Sequence, residues 1–139
     1  MLLDVGVWLA AVWGRHVHHV KVISWLQRQP GNLVLCRVTQ MSLLRLLSNP
    51  AVMDGSAVPR HTAWSIIDQL RADERIRWAD EPAQLESAWR AISGRNDHSH
   101  KLWTDDYLAA FAQTAGMRIV TLDQGFTDRY RSVRVIVLS

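Results

Sequence analysis

Three aspartates in this sequence fall where chemistry is possible. Asp4 closes the opening run MLLD, Asp105 and its neighbour Asp106 open the segment TDDYLAAFAQTA, and Asp123 ends MRIVTLD. A carboxylate within or at the end of an apolar run is costly unless it is paired, hydrogen-bonded or bound to a cation. Three such groups brought together would repel one another unless a hard divalent ion lay between them. Oxygen-only ligation of that kind suits Mg²⁺ or Mn²⁺. The chemistry open to such a cluster is metal-assisted attack of water on a phosphodiester.

Each acid also has a plainer reading. Asp105 fits the first turn of a helix capped by Thr104, where it would complement the helix dipole. Asp123 fits a turn before Gly125. Asp4 fits a strand end, where it would cap the following turn.

The flanking patterns decide whether the three acids can meet. Leu108, Phe111, Ala112 and Ala115 recur at helical spacing, and Gly116 stands where that helix would stop. Met117 to Leu122 then reads as a short buried strand. In a parallel α/β sheet each helix returns the chain to the starting edge, so its N-terminus lies near the strands' carboxyl ends, where ligands bind. Asp105 and Asp123 can therefore share one pocket. Asp4 joins them if residues 1 to 8 form a central strand.

The rest of the chain supplies the other layers. Val7 to Trp13 reads as a short helix, followed by a helix from His16 to Arg28 with Val17, Val20 and Trp25 turned inward. His16, His18 and His19 then fall on a solvated face, a better account than a zinc site lacking a nearby thiol or acid. After the turn at Pro30-Gly31-Asn32 comes a buried strand, Leu33 to Cys36. Thr39 can cap the next helix, whose core face is Leu43, Leu44, Leu46 and Leu47 and whose end is Asn49-Pro50. Residues 51 to 59 read as a loop and His61 to Arg71 as a helix with Trp64, Ile67 and Leu70 buried. A strand at Ile76 to Ala79, a helix from Pro82 to Gly94, a polar loop from Arg95 to Lys101 and a last strand at Val133 to Leu138 complete the chain. The alternation predicts an α/β fold.

Three stretches together, LLDVGVWLA, VTQMSLLRLLSNPAVM and LWTDDYLAAFAQTAGMRIVTLDQGF, resemble the VapC-type PIN-domain ribonucleases, the toxin halves of type II toxin–antitoxin pairs. The resemblance spans nearly the whole chain. It implies a three-layer fold with a central, mainly parallel sheet flanked by helices. It also implies Mg²⁺- or Mn²⁺-dependent cleavage of RNA, with Asp4, Asp105 and Asp123 at matching metal-binding positions. A homodimer silenced by a cognate antitoxin protein follows from the same resemblance. One position departs from the family pattern. Ser42 falls where a glutamate is expected, and no acid occurs from residue 5 to residue 53. Gln40 or Ser42 would have to offer a neutral oxygen there, or Asp106 compensate; Arg45, on the same helix, either reaches toward the acids or phosphate or is a plain surface arginine. The alternative is a degenerate PIN domain that binds RNA or a protein partner without cutting.

Bulk properties agree with a single domain over residues 1–139. Sixteen basic against thirteen acidic residues give a net charge of +3, compatible with a polyanionic partner but too mild to require one. The single Cys36 excludes an intramolecular disulfide and a cysteine-pair metal site. No apolar run has a membrane-spanning length and the start lacks the form of a signal peptide, so a cytoplasmic protein is expected. Among the seven tryptophans, Trp25, Trp64 and Trp89 fall on core faces, while Trp8, Trp13 and Trp103 are candidates for an interface.

Overall fold

The apolar runs yield strands of only two or three residues, because each run ends in a polar side chain or passes directly into a helix. The computed structural model describes residues 1–138 and orders the elements as follows: β1 Leu2–Leu3, α1 Val5–Val12, α2 His19–Gln27, β2 Leu33–Leu35, α3 Arg37–Leu47, α4 Pro50–Met53, α5 Arg60–Arg71, β3 Ile76–Trp78, α6 Leu85–Ser93, α7 Trp103–Ala115, β4 Ile119–Thr121, α8 Phe126–Arg129 and β5 Val135–Val137. Two compact units result. One joins Met1–Asp4 to the chain from Asp80 onward, and the other is Val5–Ala79.

The first unit is built on three parallel strands in the order β1-β4-β5. Leu2 and Leu3 face Ile119 and Val120, and Ile119, Val120 and Thr121 face Val135, Ile136 and Val137. α7 supplies much of this unit's core: Tyr107, Leu108, Ala109, Ala110, Phe111 and Ala112 are all buried. A helix with six consecutive buried residues needs small ones among the large, and the three alanines provide them. α6 lies against it through Trp89, whose ring meets Tyr107 edge-on at 5.4 Å. Gly116 ends α7 in the left-handed conformation, φ 66°, and the Met117 amide donates to the Ala112 carbonyl at 2.9 Å. That closure is open to glycine because it carries no Cβ.

The second unit pairs β2 with β3, also in parallel, with Leu33 opposite Ile76 and Leu35 opposite Trp78. Thr39, at the third position of α3, accepts from the Cys36 amide at 3.1 Å and donates to the Cys36 carbonyl at 3.0 Å, so it does close the helix start. Arg37 and Arg71 each lie over the Trp78 ring, 4.6 and 4.8 Å from its centroid.

Several expectations are corrected. The opening strand stops at Leu3, and Val5 already begins a helix in which Val7, Trp8, Leu9 and Ala10 are buried. An unbroken apolar run has no period that could separate strand from helix. Trp8 is thus core, not interface. Val17 and Val20 are 86% and 78% exposed. α2 starts only at His19, whose Nδ1 lies 2.7 Å from the Ala10 carbonyl, and Val22 and Leu26 take the inward positions. Trp64 is 49% exposed because Ala63 and Ile67 occupy the buried stripe of α5. Pro50 starts α4 within the expected loop, with Asn49 Oδ1 accepting from the Ala51 amide at 3.0 Å. Proline at a first helical position forfeits no hydrogen bond. Among the described residues no helix is long and apolar enough to cross a membrane.

The Gly116 closure gives a direct test. A Cβ added there meets no atom within 4 Å, so Gly116→Ala isolates backbone strain from crowding. The variant should lose about 1–2 kcal/mol, read as a lower denaturant midpoint at unchanged slope.

Candidate active site

Parallel pairing brings the ends of β1 and β4 side by side. The Asp4 amide donates to the Val120 carbonyl at 2.9 Å, which sets Asp4 next to the end of β4. There the fully buried Thr121 hydroxyl does two jobs. It accepts from the Asp123 amide at 3.1 Å and donates to Asp4 Oδ2 at 2.9 Å. One hydroxyl thereby ties together two of the acids.

Asp105 arrives from the first turn of α7. The helix starts two residues earlier than expected, after Leu102, so Thr104 is not its cap. Arg129, the last residue of α8, links Asp105 to the others. Its Nη2 donates to Asp105 Oδ2 at 3.2 Å and makes a closer contact with Asp123 Oδ2. Asp123 Oδ1 also accepts from the Gly125 amide at 2.9 Å. A Cβ on Gly125 would stand 2.9 Å from Arg129 Nη1, so glycine gives the guanidinium room.

The charges respond to this crowding. Burial pushes the Asp105 carboxyl up to about 6, and the neighbouring Asp4 charge adds to the effect; Arg129 opposes it. Asp123 moves the other way, held below the usual carboxylate range chiefly by its hydrogen bond from Arg129. The two acids that share one arginine therefore differ in proton affinity, because Asp105 is the more deeply buried and lies closer in effect to Asp4.

Asp106 has another partner: its Oδ1 accepts from the Tyr130 hydroxyl at 2.5 Å. Burial and that bond push the Tyr130 phenol up. Next to these groups opens a cavity of about 590 Å³, lined by Arg95, His98, His100, Trp103, Asp106, Arg129 and Tyr130 among others. The polar loop before Asp105 lines it through Arg95 and Asp97 to His100. Gln40, Ser42 and Arg45 belong to the other unit, on α3. Gln40 is buried and accepts from Arg37 Nη1 at 2.5 Å, Ser42 is half-buried and Arg45 is exposed.

A match to the PIN-domain family model covers residues 1–131. The chain belongs to the PIN-domain family. Ribonuclease VapC41 of Mycobacterium tuberculosis is 42% identical to this PIN domain over 134 residues, 92% of either chain. The fold is shared with VapC20 of Mycobacterium tuberculosis, described as a sarcin-ricin loop cleaving toxin, at a TM-score of 0.68 and 15% identity over 91% of this chain and 92% of that one. It is also shared with VapBC2 from Rickettsia felis, solved with a promoter DNA fragment, at a TM-score of 0.67 and 12% identity over 99% and 98%.

Two members of this PIN domain's acidic site escaped the sequence reading. Thr121 carried a usable signal, since two residues before an acid at a strand end is the same side of the strand. Arg129 carried none, because α8 is a single turn with no apolar period.

The raised Asp105 carboxyl has a consequence for stability. The folded state holds this proton more tightly than the unfolded state, so charge on Asp105 costs stability as pH rises from about 4 through about 6. In chelator, Asp105→Asn should melt higher than wild type at pH 8, by an amount equivalent to about 1–2 kcal/mol. The difference should vanish near pH 4, as thermal melts across that range would show.

Proposed function

We propose that this chain is a metal-dependent endoribonuclease and the toxin half of a toxin–antitoxin pair. The observation that carries the proposal is the meeting of Asp4, Asp105 and Asp123 around Thr121 and Arg129 at one sheet edge. Similarity to ribonuclease VapC41 gives the reaction class, and the fold shared with VapC20 agrees with an RNA target. A homodimer and a cognate antitoxin that covers the acidic site belong to the same reading.

The donor set fits a hard divalent cation. All three acids offer oxygens, one carboxyl is already destabilised as an anion, and a guanidinium sits where positive charge is wanted. Asp4, Asp105 and Asp123 would hold Mg²⁺ or Mn²⁺. When bound, the ion supplies a Lewis acid for the attacked phosphate and lowers the pKa of a nearby water. As placed, no three His, Cys, Asp or Glu side chains among the described residues form a metal-holding group, and Arg129 would release a carboxylate for all three to share one ion.

The chain's own residues do the rest. Thr121 fixes the orientation of the Asp4 carboxylate. Arg129 offsets the charge of Asp105 and Asp123 and also lines the cavity, where its charge would be available to the RNA backbone. Arg95, His98, His100 and Lys101 lie on the loop where phosphate contacts would form.

Replacing Asp4 by Asn should abolish Mg²⁺-dependent cleavage of RNA and leave the circular dichroism spectrum intact; full activity would remove Asp4 from the mechanism. Thr121→Val should weaken Mn²⁺ binding roughly 10- to 100-fold, the usual cost of losing a group that orients a metal ligand. The second reading, a PIN domain that binds without cutting, is favoured by Ser42 at the expected glutamate position. Titration with Mn²⁺ separates the two: a cutting enzyme gains melting temperature with added metal, and a degenerate fold does not.

A further inference from the structure

The cavity beside the acids is larger and more aromatic than a phosphate contact requires. We propose that it is a subsite for one unstacked base of the RNA, held against the Trp103 indole next to the attacked phosphate. This rests on the nuclease reading above and adds to it a site for substrate recognition.

Four observations carry the inference. First, Trp103 is 54% exposed although it stands at the start of the most buried helix of its unit. Its ring meets Trp89 at 6.2 Å and 82°, a perpendicular contact that is not a stack, so a flat partner can lie parallel to the Trp103 indole. Second, its position is held: the Trp89 indole Nε1 donates to the Trp103 carbonyl at 3.2 Å. A stacking platform must be rigid to favour a bound base.

Third, the cavity of about 590 Å³ lies within the range of roughly 300–1,000 Å³ typical of small-ligand sites. Its rim carries both signs, with Arg95 and Arg129 against Asp97, Asp106 and Asp128. A purely basic rim would suit phosphate alone. Alternating donors and acceptors suit the edge of a base, which presents both. Fourth, the cavity and the acids share a wall. Arg129 lines the cavity and also contacts Asp105 and Asp123. A base on Trp103 would thus belong to a nucleotide at or next to the cleaved bond. Sequence-specific proteins read RNA mostly at unpaired, splayed bases stacked on aromatic side chains, so the subsite predicts cleavage in loops or single strands.

The test uses full-length Asp4→Asn protein, which should bind RNA without cutting it. The probes are single-stranded oligoribonucleotides carrying one 2-aminopurine at successive positions. One position should be quenched on binding, in Trp103→Phe as in the parent. Trp103→Ala should lose that quenching and bind roughly 5- to 100-fold more weakly, the usual effect of removing one base–aromatic stack. An abasic nucleotide at that position should weaken binding to the parent by a similar factor and have no further effect on Trp103→Ala. In active protein, Trp103→Ala should raise KM far more than it lowers kcat. Melting curves of both variants show whether they fold; if Trp103→Ala does not, the abasic nucleotide keeps the test decisive, because unchanged affinity of the parent for it at every position would overturn the subsite.

Equal affinity and equal quenching in both variants and the parent would overturn the subsite while leaving the nuclease reading intact. Absence of Mg²⁺-dependent cleavage by the unaltered protein would overturn the nuclease reading, whereas the quenching pattern in Asp4→Asn would still report the subsite. Loss of binding to a protein partner, with RNA affinity unchanged, would make Trp103 a docking residue and also overturn the proposal.

Discussion

Electrostatic repulsion among three carboxylates is the constraint on which the site depends. Left alone, Asp4, Asp105 and Asp123 would separate or take up protons. Two devices oppose it. The Thr121 hydroxyl clamps Asp4 and the Asp123 backbone from inside the core, where it cannot exchange with water. The Arg129 guanidinium holds Asp105 and Asp123 from the solvent side. The first is fixed by strand register; the second is a charge on a flexible stem. One link is thus set by the backbone and the other by a side chain.

This division explains why proton affinities diverge within so small a space. Asp123 is satisfied by an arginine and a backbone amide and stays acidic. Asp105 is more buried and pays for Asp4's proximity. Energy not spent on stability is stored as affinity for positive charge, which is how active sites trade one for the other. The aromatic layer of Trp89, Trp103, Tyr107 and Phe111 then supports the start of α7, keeping Asp105 from relaxing away.

Much of this was legible in the sequence. The helix carrying Asp105 announced itself through Leu108, Phe111, Ala112 and the stop at Gly116, and the strand before Asp123 through its apolar run. Their connection implied a shared edge, and Asp4 followed once parallel pairing was assumed. What stayed hidden depended on geometry without period. Val5 to Val12 gives no apolar alternation, so strand and helix were indistinguishable there. Trp64 and Val20 look like core residues by type, but smaller or better-placed neighbours fill the core instead. Arg129 is invisible because its partners lie at other places in the chain and its own helix is a single turn.

The order in which the site's parts occur along the chain has a temporal meaning. The compact unit that holds it takes its first four residues from one end and everything else from beyond residue 80. During synthesis Asp4 is joined long before Asp105, Asp123 and Arg129, which follow in that order. No arrangement of the nascent chain can complete the acidic cluster until Arg129 has been joined, so the early-made aspartate stays without its partners until then.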